Sequence, residues 1–553
     1  MTDARLPDGF AVRLDRRTRR LDGGAALLGL SSGRLLHLAP AARRLLDAGA
    51  CPGCADLVVR DATSARLARR LLDAGIAHPA LLDHGVPAGP GPADVTVVVP
   101  VKDRPDGLRR LLAALAPAAL APAAPAPAMP APALAEVIVV DDGSADSAAC
   151  RASVEQSVLR SRVRLIRHPS SRGPAAARNT GAAAAGTALV AFLDSDVVPE
   201  PGWLAPLLAH LADPAVALAA PRIAALPPAG GAAGWLDRYE RLRSSLDLGP
   251  DPGPIVPRSR VAYVPSAAML VRRAALGSGF DEELHVAEDV DLVLRLHAAG
   301  WRLRYEPAAV VAHEHRARPV GWWVRKAFYG TGAAPLALRH PGSVPPMVLA
   351  PWAAAVCVLV GAQRRSGALA AAAVTGFAWW RLRRTLAPPA TATASLPAVS
   401  PPAVSPPAVS LPAASPPATN PARLRQPGRV AALLIGLGLS SAANQSAGLL
   451  IRHWWPVAAL GCLVSGRVRR AVLVAALADG LLDWHRHRPE PGEPGLDPVR
   501  YVLAHRADDL GYGAGLWWGA ARSRTLAPLR PMITGLDRWS GRWRRLTRKV
   551  APR

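Results

Sequence analysis

The sequence predicts a doubly wound α/β domain with a mostly parallel sheet, preceded by a small α/β unit and followed by an α-helical apolar region. Three observations lead to this prediction. The 553 residues are enough for several domains and a large core. Short apolar runs alternate with helical patterns between residues 94 and 340, which is the rhythm of strand–helix–strand crossovers. Apolar segments rich in Trp and Arg follow residue 340.

The first segment, residues 1–88, is expected to form a unit of its own. Turn signals rich in Asp, Gly and Ser separate short alternating runs near its start, which indicates β-hairpins. Helical spacing follows, with an apolar stripe that includes Leu67 and Leu71 and ends at Gly75. A β-rich start followed by helices is therefore expected.

The central sheet is expected from apolar runs that each end in polar residues. The run from Val95 to Val99 is typical of a parallel strand that is covered on both faces. Ligands of such sheets bind beyond the carboxyl ends of the strands. The clusters Lys102–Asp103, Asp141–Asp142 and Asp194–Asp196 should therefore meet at one edge of the sheet.

Two carboxylates, Asp194 and Asp196, follow one of these runs and are separated only by Ser195. On an extended chain residues i and i+2 point to the same side, so the two side chains are expected next to each other. Two like charges about 4 Å apart repel by about 4 kcal/mol at an effective dielectric constant of about 20. Water, an Arg or a divalent cation can offset this repulsion, and Mg²⁺ prefers carboxylate oxygens. A solvated turn is the alternative.

Two low-complexity stretches are not expected to contribute to a core. An Ala/Pro insertion covers 116–133, and a linker rich in Pro, Ala and Ser covers 387–422. The regions 341–386 and 423–553 are expected to be helical. Their apolar segments are short for a hydrocarbon layer of about 30 Å. Trp and Arg at the segment ends nevertheless favour association with a membrane interface.

The formal net charge of +25 predicts an anionic partner, such as nucleic acid, a phosphorylated substrate or an acidic membrane face. Nucleic acid is not expected, because the sequence has no helix-turn-helix, zinc-finger or aromatic RNA-binding signature. Five Cys imply no disulfide framework, and the polar N-terminus is not a secretory signal. A cytoplasmic location at the inner face of the cell membrane is expected.

Five ordered motifs between residues 94 and 340 resemble family 2 glycosyltransferases of the GT-A fold. They are VTVVVPVKDRP, EVIVVDDGSADS, RGPAAARNTGAAAAG, VAFLDSDVVPEPGWL and GFDEELHVAEDVDLVLRLHAAGWRLRYEP. The resemblance implies that Asp194 and Asp196 hold Mg²⁺ or Mn²⁺, which bridges to the diphosphate of a UDP-sugar donor. His313 or His315 is a candidate for a further metal or phosphate ligand.

The same resemblance implies roles for other residues. The implied donor-binding residues are Pro100, Val101, Asp103, Asp142, Arg178, Asp194 and Ser195. The strand-end residues among them shape a nucleobase pocket in which a carboxylate accepts a hydrogen bond from uracil. Arg178 reaches the nucleotide or, alternatively, lies at the surface. Inversion at the anomeric carbon needs a base that takes the proton of the acceptor hydroxyl. Asp289 is the expected base, with Glu288 as its neighbour in the acceptor site, and Asp291 is expected to cap the helix or face solvent.

The N-terminal segment resembles the small, winged-helix-like peptide-recognition domains related to the pyrroloquinoline quinone peptide chaperone. Together with a family 2 domain and an apolar C-terminus, it resembles the glycosyltransferases of the mycofactocin system. This implies transfer of glucose from UDP-glucose to a peptide-derived redox cofactor, building a β-linked oligosaccharide. The alternatives are a cell-envelope glycosyltransferase with a lipid-linked acceptor and an inactive peptide- or membrane-binding scaffold. The sequence does not fix the sugar or the number of sugars.

Overall fold

The computed structural model describes residues 4–48, 50–51, 54–80, 89–120, 134–227, 234–315, 318–387, 424–489 and 495–534. Within these ranges the chain forms a small N-terminal unit, a central nine-stranded sheet covered by helices, and a helical C-terminal region. Most of the predicted linker lies outside the described residues, as do residues 121–133 of the predicted insertion.

The N-terminal unit contains short antiparallel strands and two helices, as predicted. Its elements are β1 Ala11–Leu14, β2 Thr18–Leu21, β3 Ala26–Gly29, β4 Arg34–His37, α1 Pro40–Ala48, β5 Ala50–Cys51, β6 Cys54–Val58, α2 Ala62–Asp73 and β7 Ala77–Pro79. The strands form one sheet in the order β5-β6-β1-β7 and another in the order β2-β3-β4. Leu67 and Leu71 are buried, so the predicted stripe on α2 is confirmed. Asp61 caps this helix by accepting hydrogen bonds from the backbone of Thr63 and Ser64.

The central domain alternates strands and helices. Its strands are β8 Val95–Val101, β9 Glu136–Asp141, β10 Val163–Arg167, β11 Leu189–Leu193, β12 Val197–Pro199, β13 Val216–Ala225, β14 Gly253–Pro254, β15 Ala268–Arg272 and β16 Arg302–His313. Its helices are α3 Pro105–Leu120, α4 Ser147–Glu155, α5 Pro174–Ala184, α6 Leu204–Leu211, α7 Trp235–Leu242 and α8 Glu288–Ala298. The last residues of α3 therefore lie inside the predicted Ala/Pro insertion.

The central sheet has the order β10-β9-β8-β11-β15-β13-β16-β12, and β14 pairs with β16. The first four strands in this order are mutually parallel, and β15 is antiparallel to its neighbours β11 and β13. This is the doubly wound, mostly parallel sheet of the GT-A type that the sequence predicts. The parallel pairing brings the carboxyl ends of β8, β9 and β11 to one edge, so the predicted strand-end clusters do share that edge.

Each face of the sheet has its own hydrophobic core. One core includes Leu111 of α3 and Leu207 of α6, and the other includes Ala177 of α5 and Leu292 of α8. All residues of β8 are buried, as the near-continuous apolar run predicts. Two helical layers therefore hold the sheet rigidly and position the loops at its carboxyl edge.

The C-terminal region is helical, as predicted. Its helices are α9 Pro319–Thr331, α10 Ala333–Arg339, α11 Pro351–Gly361, α12 Arg365–Leu386, α13 Pro427–Gly448, α14 Trp455–Val464, α15 Gly466–Arg486 and α16 Pro498–Arg522. A π-helical turn at Leu449–His453 follows α13, and β17 Val348–Leu349 pairs with β18 Met532–Ile533. The long helix α16 does not follow from any of the apolar segments in the sequence.

The helices next to the predicted linker pack against the N-terminal unit. Leu424 and Val430 form one buried cluster with Ala26 and Leu28 of β3. The backbone N–H of Arg425 donates a 2.7 Å hydrogen bond to Asp22. The first and last regions of the chain are therefore in direct contact.

Candidate active site

The loops that follow β8 and β9 are joined by hydrogen bonds through Asp103. Its backbone N–H donates to Ser144 Oγ (2.9 Å), and its carboxylate accepts from Ala145 N–H (2.8 Å). Asp103 has a φ of 53°, a strained left-handed conformation that is enriched at functional sites. Pro100 and Val101 pair with β9 directly before it. The predicted donor-binding residues of the first two strands therefore form one ordered corner.

Asp142 is buried and accepts four hydrogen bonds from the loop that precedes α5. The donors are the backbone N–H groups of Arg172 and Gly173, the hydroxyl of Ser171 and Nδ1 of His168, all at 2.8 Å. Burial raises the pKa of Asp142, but these hydrogen bonds outweigh it and lower the pKa below the ordinary value. Asp142, one of the carboxylates predicted to shape the nucleobase pocket, is thus already hydrogen-bonded within the chain and holds this loop in place.

Asp194 and Asp196 lie in a tight turn and not on an extended chain. Val197 N–H donates to the carbonyl of Asp194 (3.3 Å), and this turn directs the two carboxylates to different partners. Arg178 Nη2 lies 2.6 Å from Asp194 Oδ1, whereas Arg104 Nη1 lies 3.3 Å from Asp196 Oδ2. The chain is therefore not extended between them, and an Arg offsets the charge of each. Ser195 between them is buried.

Arg178 connects the turn at Asp194 with the start of α8. The side chain is 3% exposed, so the surface alternative was wrong. Its Nη1 lies 2.9 Å from Glu288 Oε1, and its guanidinium lies 5.4 Å from the ring centre of Phe280. Burial lowers the pKa of Arg178, but the charges of Asp194 and Glu288 outweigh this and raise it. The guanidinium therefore stays charged and ties the predicted donor side to the predicted acceptor side.

Replacing Arg178 by Met should destabilise the protein by about 3 kcal/mol, because two largely buried carboxylates lose their partner. The stability of Arg178→Lys should lie between those of wild type and the Met variant, since an ammonium keeps the charge but cannot contact both carboxylates in the same geometry. The measurement is the midpoint of thermal unfolding at pH 7. Equal midpoints for wild type and the Met variant would contradict this assignment.

Asp289 lies in the first turn of α8, directly after Ala287, whose φ of 66° is left-handed. Its carboxylate accepts hydrogen bonds from Ser266 N–H (3.0 Å) and Val290 N–H (2.8 Å). Burial and then the charge of Glu288 raise the pKa of Asp289 to about 7, against the opposing effect of these hydrogen bonds and of Arg178. A carboxylate with such a pKa is suited to accept a proton near neutral pH.

The two candidate histidines have different neighbours. His313 ends β16, and its Nε2 lies 3.6 Å from Asp196 Oδ1. His315 lies two residues beyond that strand, and its Nε2 is 3.0 Å from Asp237 Oδ1 on α7. The structure thus places His313 beside the acidic turn and pairs His315 with another carboxylate.

Asp291 is buried, in contrast to the expectation that it caps the helix or faces solvent. It lies 2.7 Å from Arg295 Nε and 2.8 Å from His340 Nε2. These contacts attach α8 to the end of α10, so Asp291 holds the helix that carries Asp289.

The sequence patterns did not reveal the contribution of α9 to the site. Arg325 and Tyr329 line a cavity together with Arg104, Asp196 and His313. The alternation of basic and aromatic residues in RKAFY, shortly after His313, is the signal that could have indicated this helix.

A second cluster of acidic residues and His lies between α15 and α16. It contains Asp479, His505 and Asp509, whose ligand atoms are close enough to share a metal ion. Arg506 Nη2, however, lies 2.6 Å from Asp479 Oδ2 and 3.1 Å from Asp509 Oδ2. The guanidinium occupies the position that a cation would take, so we interpret this cluster as part of the helix packing.

The chain is similar to known glycosyltransferases over nearly its full length. Residues 96–276 match the family described as glycosyl transferase family 2, and residues 189–413 match glycosyl transferase family group 2. A pre-mycofactocin glycosyltransferase of Mycobacterium tuberculosis is 44% identical over 539 residues, which are 96% of this chain and 100% of that protein.

More distant similarities cover parts of the chain. The succinoglycan biosynthesis protein ExoU of Rhizobium meliloti is 32% identical over 38% of this chain and 59% of that protein. A solved mannosyltransferase of Pyrobaculum calidifontis in complex with GDP-Man and Mn²⁺ is 22% identical, with a TM-score of 0.34 over 47% of this chain and 70% of that chain. From the motifs, the sheet and the full-length similarity to the mycobacterial enzyme, we conclude that the chain belongs to glycosyl transferase family 2, within the group of pre-mycofactocin glycosyltransferases.

Proposed function

We propose that the protein transfers a hexose, with glucose favoured, from a UDP-sugar to a peptide-derived redox cofactor of the mycofactocin type. Transfer inverts the anomeric carbon and builds a β-linked oligosaccharide. The observation that carries the proposal is the position of Asp289: two backbone N–H groups orient its carboxylate, and Arg178 connects the neighbouring Glu288 to the acidic turn at Asp194. The name of the mycobacterial relative supports the acceptor class.

Asp289 and not Glu288 is the proposed base. Glu288 is paired with the buried guanidinium of Arg178, which holds its charge in place. Asp289 accepts hydrogen bonds from two backbone N–H groups, which orient its carboxylate without neutralising it. Asp289 therefore takes the proton of the acceptor hydroxyl as this oxygen attacks the anomeric carbon and the diphosphate leaves.

The acidic turn fits a hard divalent cation, Mg²⁺ or Mn²⁺. Carboxylate oxygens suit both ions. Asp196 Oδ1 and His313 Nε2 are 3.6 Å apart, and two neighbouring ligands at about 2.1 Å from one octahedral ion are about 3 Å apart. We propose Asp194, Asp196 and His313 as the residues that hold the ion. When bound, it would neutralise the charge that develops on the leaving diphosphate.

The donor pocket is proposed at the carboxyl edge of β8 and β9. Pro100, Val101 and Asp103 form its corner, and Asp142 contributes by holding the loop that precedes α5. Ser195 is buried against α3, where a Cβ on Gly107 would lie 2.5 Å from the Ser195 carbonyl. This close approach fixes the position of the acidic turn relative to the pocket.

The N-terminal unit supports a role in peptide recognition. A groove of about 750 Å³ lies between β4 and α2 and is lined by Arg34, Arg66 and Arg70, among others. The strand β4 is at the edge of its sheet, where an extended peptide can add as a further strand. We propose that this groove binds a peptide segment with acidic residues.

A direct test measures UDP release from UDP-glucose, UDP-galactose and UDP-N-acetylglucosamine, with pre-mycofactocin as the acceptor. We expect the highest kcat/KM for UDP-glucose, with a glycosylated product that mass spectrometry detects. Turnover with polyprenyl phosphate acceptors alone would favour the cell-envelope alternative. Absence of turnover with every pair would favour the inactive scaffold.

We also propose that the helical region rests on the cytoplasmic face of the membrane. Among the described residues, one helical segment, Pro427–His453, is long and apolar enough to cross a bilayer. Its first turns pack on the N-terminal unit through Val430, and at its far end Arg452 is paired with Asp509 of α16. Because both ends are attached to the same body of the protein, an orientation along the membrane surface fits better than a crossing.

The surface of these helices is apolar and basic. Leu369, Leu463 and Val464 are at least 74% exposed. Arg residues occur on both sides of the apolar stretch of α12 and at the start of α15. An apolar surface with Arg at its border binds anionic lipid surfaces, at about 1 kcal/mol per basic residue.

We expect the protein to float with vesicles of phosphatidylglycerol and phosphatidylcholine, and Leu463→Glu/Val464→Glu to reduce the floating fraction at least about fivefold. The matched control is Val158→Glu, which changes a 67% exposed residue of the central domain and should leave flotation unchanged. Equal flotation of the double variant and wild type would contradict the assignment of this surface.

A further inference from the structure

The long helix α16 packs against α9 through a row of glycines one turn apart. Gly511, Gly515 and Gly519 face α9, and a Cβ on Gly519 would lie 2.6 Å from the carbonyl of Thr331. A Cβ on Gly515 would overlap the carbonyl of Ala327. Small residues at this spacing let two helix backbones approach closely. Helix α16 is therefore held in a fixed position on α9, which lines the cavity beside Asp196 and His313.

This packing places Tyr512 near the start of α8. The backbone of Tyr512 lies against Gly330 in α9. A Cβ added to Gly332, two residues further on, would lie 2.9 Å from Ala287 Cβ. Ala287 is the residue directly before Glu288 and Asp289. A helix more than 200 positions further along the chain thus packs beside the segment that leads into the predicted acceptor site.

The ring of Tyr512 is covered on one side by a cation. The guanidinium of Arg452, from the π-helical turn after α13, lies 4.1 Å from the centre of the ring. Arg452 Nη1 is held by Asp509, 3.2 Å away and one helical turn before Tyr512. The ring and the guanidinium therefore form one ordered, partly exposed surface.

Two further tyrosines lie on segments that meet Asp289 or Tyr512. Tyr263, which precedes Ser266 in the chain, is 39% exposed. Burial of its hydroxyl raises the pKa of Tyr263 to about 12, with contributions from Tyr512 and Asp289. Burial also raises the pKa of Tyr329, against the opposing charges of Arg325 and Lys326 and with smaller contributions from Asp289 and Asp194. Three residues after Tyr263, Ser266 N–H donates to the Asp289 carboxylate (3.0 Å), and Tyr329 directly precedes Gly330, which lies against the backbone of Tyr512.

We propose that Tyr263, Tyr329, Tyr512 and Arg452 form an acceptor-binding wall, which positions a planar conjugated ring beside Asp289. Tyrosine rings and a guanidinium stack on such a ring, and each contact is worth about 1 kcal/mol. Many organic redox cofactors carry a conjugated ring, which delocalises the electrons that they accept. The inference rests on the proposed acceptor class, and it gives the C-terminal helices a direct role in substrate selection.

The test compares Tyr512→Ala with wild type, using pre-mycofactocin as the acceptor and UDP-glucose as the donor. Loss of the ring should raise the acceptor KM about tenfold and leave the donor KM and the acceptor-independent hydrolysis of UDP-glucose within about twofold. Tyr512→Phe should keep an acceptor KM close to that of wild type, since the ring carries the contact. Trp518→Ala is the matched control, because Trp518 lies on the same helix and is 67% exposed.

Calorimetric binding of pre-mycofactocin in the presence of UDP separates this inference from the proposed function. Weaker binding to Tyr512→Ala supports the wall even if wild type transfers no sugar. If Tyr512→Ala transfers sugar normally with an unchanged acceptor KM, the inference of an acceptor-binding wall is wrong, whereas the proposed function still holds. An equal rise of the donor KM would also overturn the inference, because the residue would then act on the donor side.

Discussion

Replacing Asp289 by Asn is expected to lower kcat by about 10²- to 10⁴-fold, which is the usual contribution of a general base. Asn has the same shape and still accepts a hydrogen bond from the backbone, but it cannot take the acceptor proton. The KM for the UDP-sugar should stay within about twofold, because Asp289 lies on the proposed acceptor side of Arg178. Steady-state UDP release with saturating acceptor measures both constants.

The pH profile provides a second measurement of the same residue. Asp289 must be unprotonated to act, and its pKa is about 7. Activity should therefore be full well above pH 7 and fall as the pH decreases through that value. In Glu288→Gln the neighbouring negative charge is absent, so Asp289 loses its proton more easily and the midpoint should move to lower pH.

Two outcomes would contradict the role of Asp289. A kcat of Asp289→Asn equal to that of wild type would place the base elsewhere. A midpoint that Glu288→Gln leaves unchanged would show that another group titrates. The matched control is Asp281→Asn, which changes a carboxylate paired with Arg339 outside the acidic turn and should retain the wild-type midpoint.

The sheet and its functional edge follow from the sequence for a simple physical reason. A parallel strand covered on both faces is a continuous apolar run, so β8 and β11 are visible in the sequence without a structure. Acidic residues directly after such runs mark the carboxyl ends of the strands. The order of the strands then places Asp103, Asp142 and Asp194 on one side of the sheet.

The partners of these residues depend on turns and on distant segments, which spacing does not encode. Asp194 and Asp196 point to different Arg residues because the chain turns between them. Arg178 lies on an Ala-rich helix, where nothing in the pattern distinguishes a buried cation from an exposed one. The segment around Tyr512 lies next to α9 because glycines spaced along α16 allow close contact between the two helices.

The choice between His313 and His315 likewise depends on strand register. β12 pairs with β16 so that Val197 lies opposite His313, which brings this imidazole next to Asp196. His315 lies beyond the end of the strand and meets Asp237. The two residues are equivalent in the sequence motif and become distinct only through this pairing.

Replacing Asp196 by Asn is expected to raise the concentration of Mn²⁺ needed for half-maximal activity by at least about 100-fold. Substitutions of residues that only hydrogen-bond to a metal ligand lower metal affinity about 10- to 100-fold. Asp196→Asn removes a proposed ligand itself, together with its charge, so a larger effect is expected. Chelation of the wild-type protein should abolish UDP release, and Mn²⁺ or Mg²⁺ should restore it. The measurement is a metal titration of UDP release, with Mn²⁺ binding followed independently by electron paramagnetic resonance.

The two histidines supply the internal control for this prediction. His313→Ala should shift the Mn²⁺ titration in the same direction as Asp196→Asn, since its Nε2 lies 3.6 Å from the Asp196 carboxylate. His315→Ala should leave the titration unchanged, because its imidazole is paired with Asp237. If His315→Ala shifts the titration and His313→Ala does not, the ion is held on the α7 side of the cavity. If Asp196→Asn and His313→Ala both bind Mn²⁺ like wild type, the acidic turn does not hold the metal.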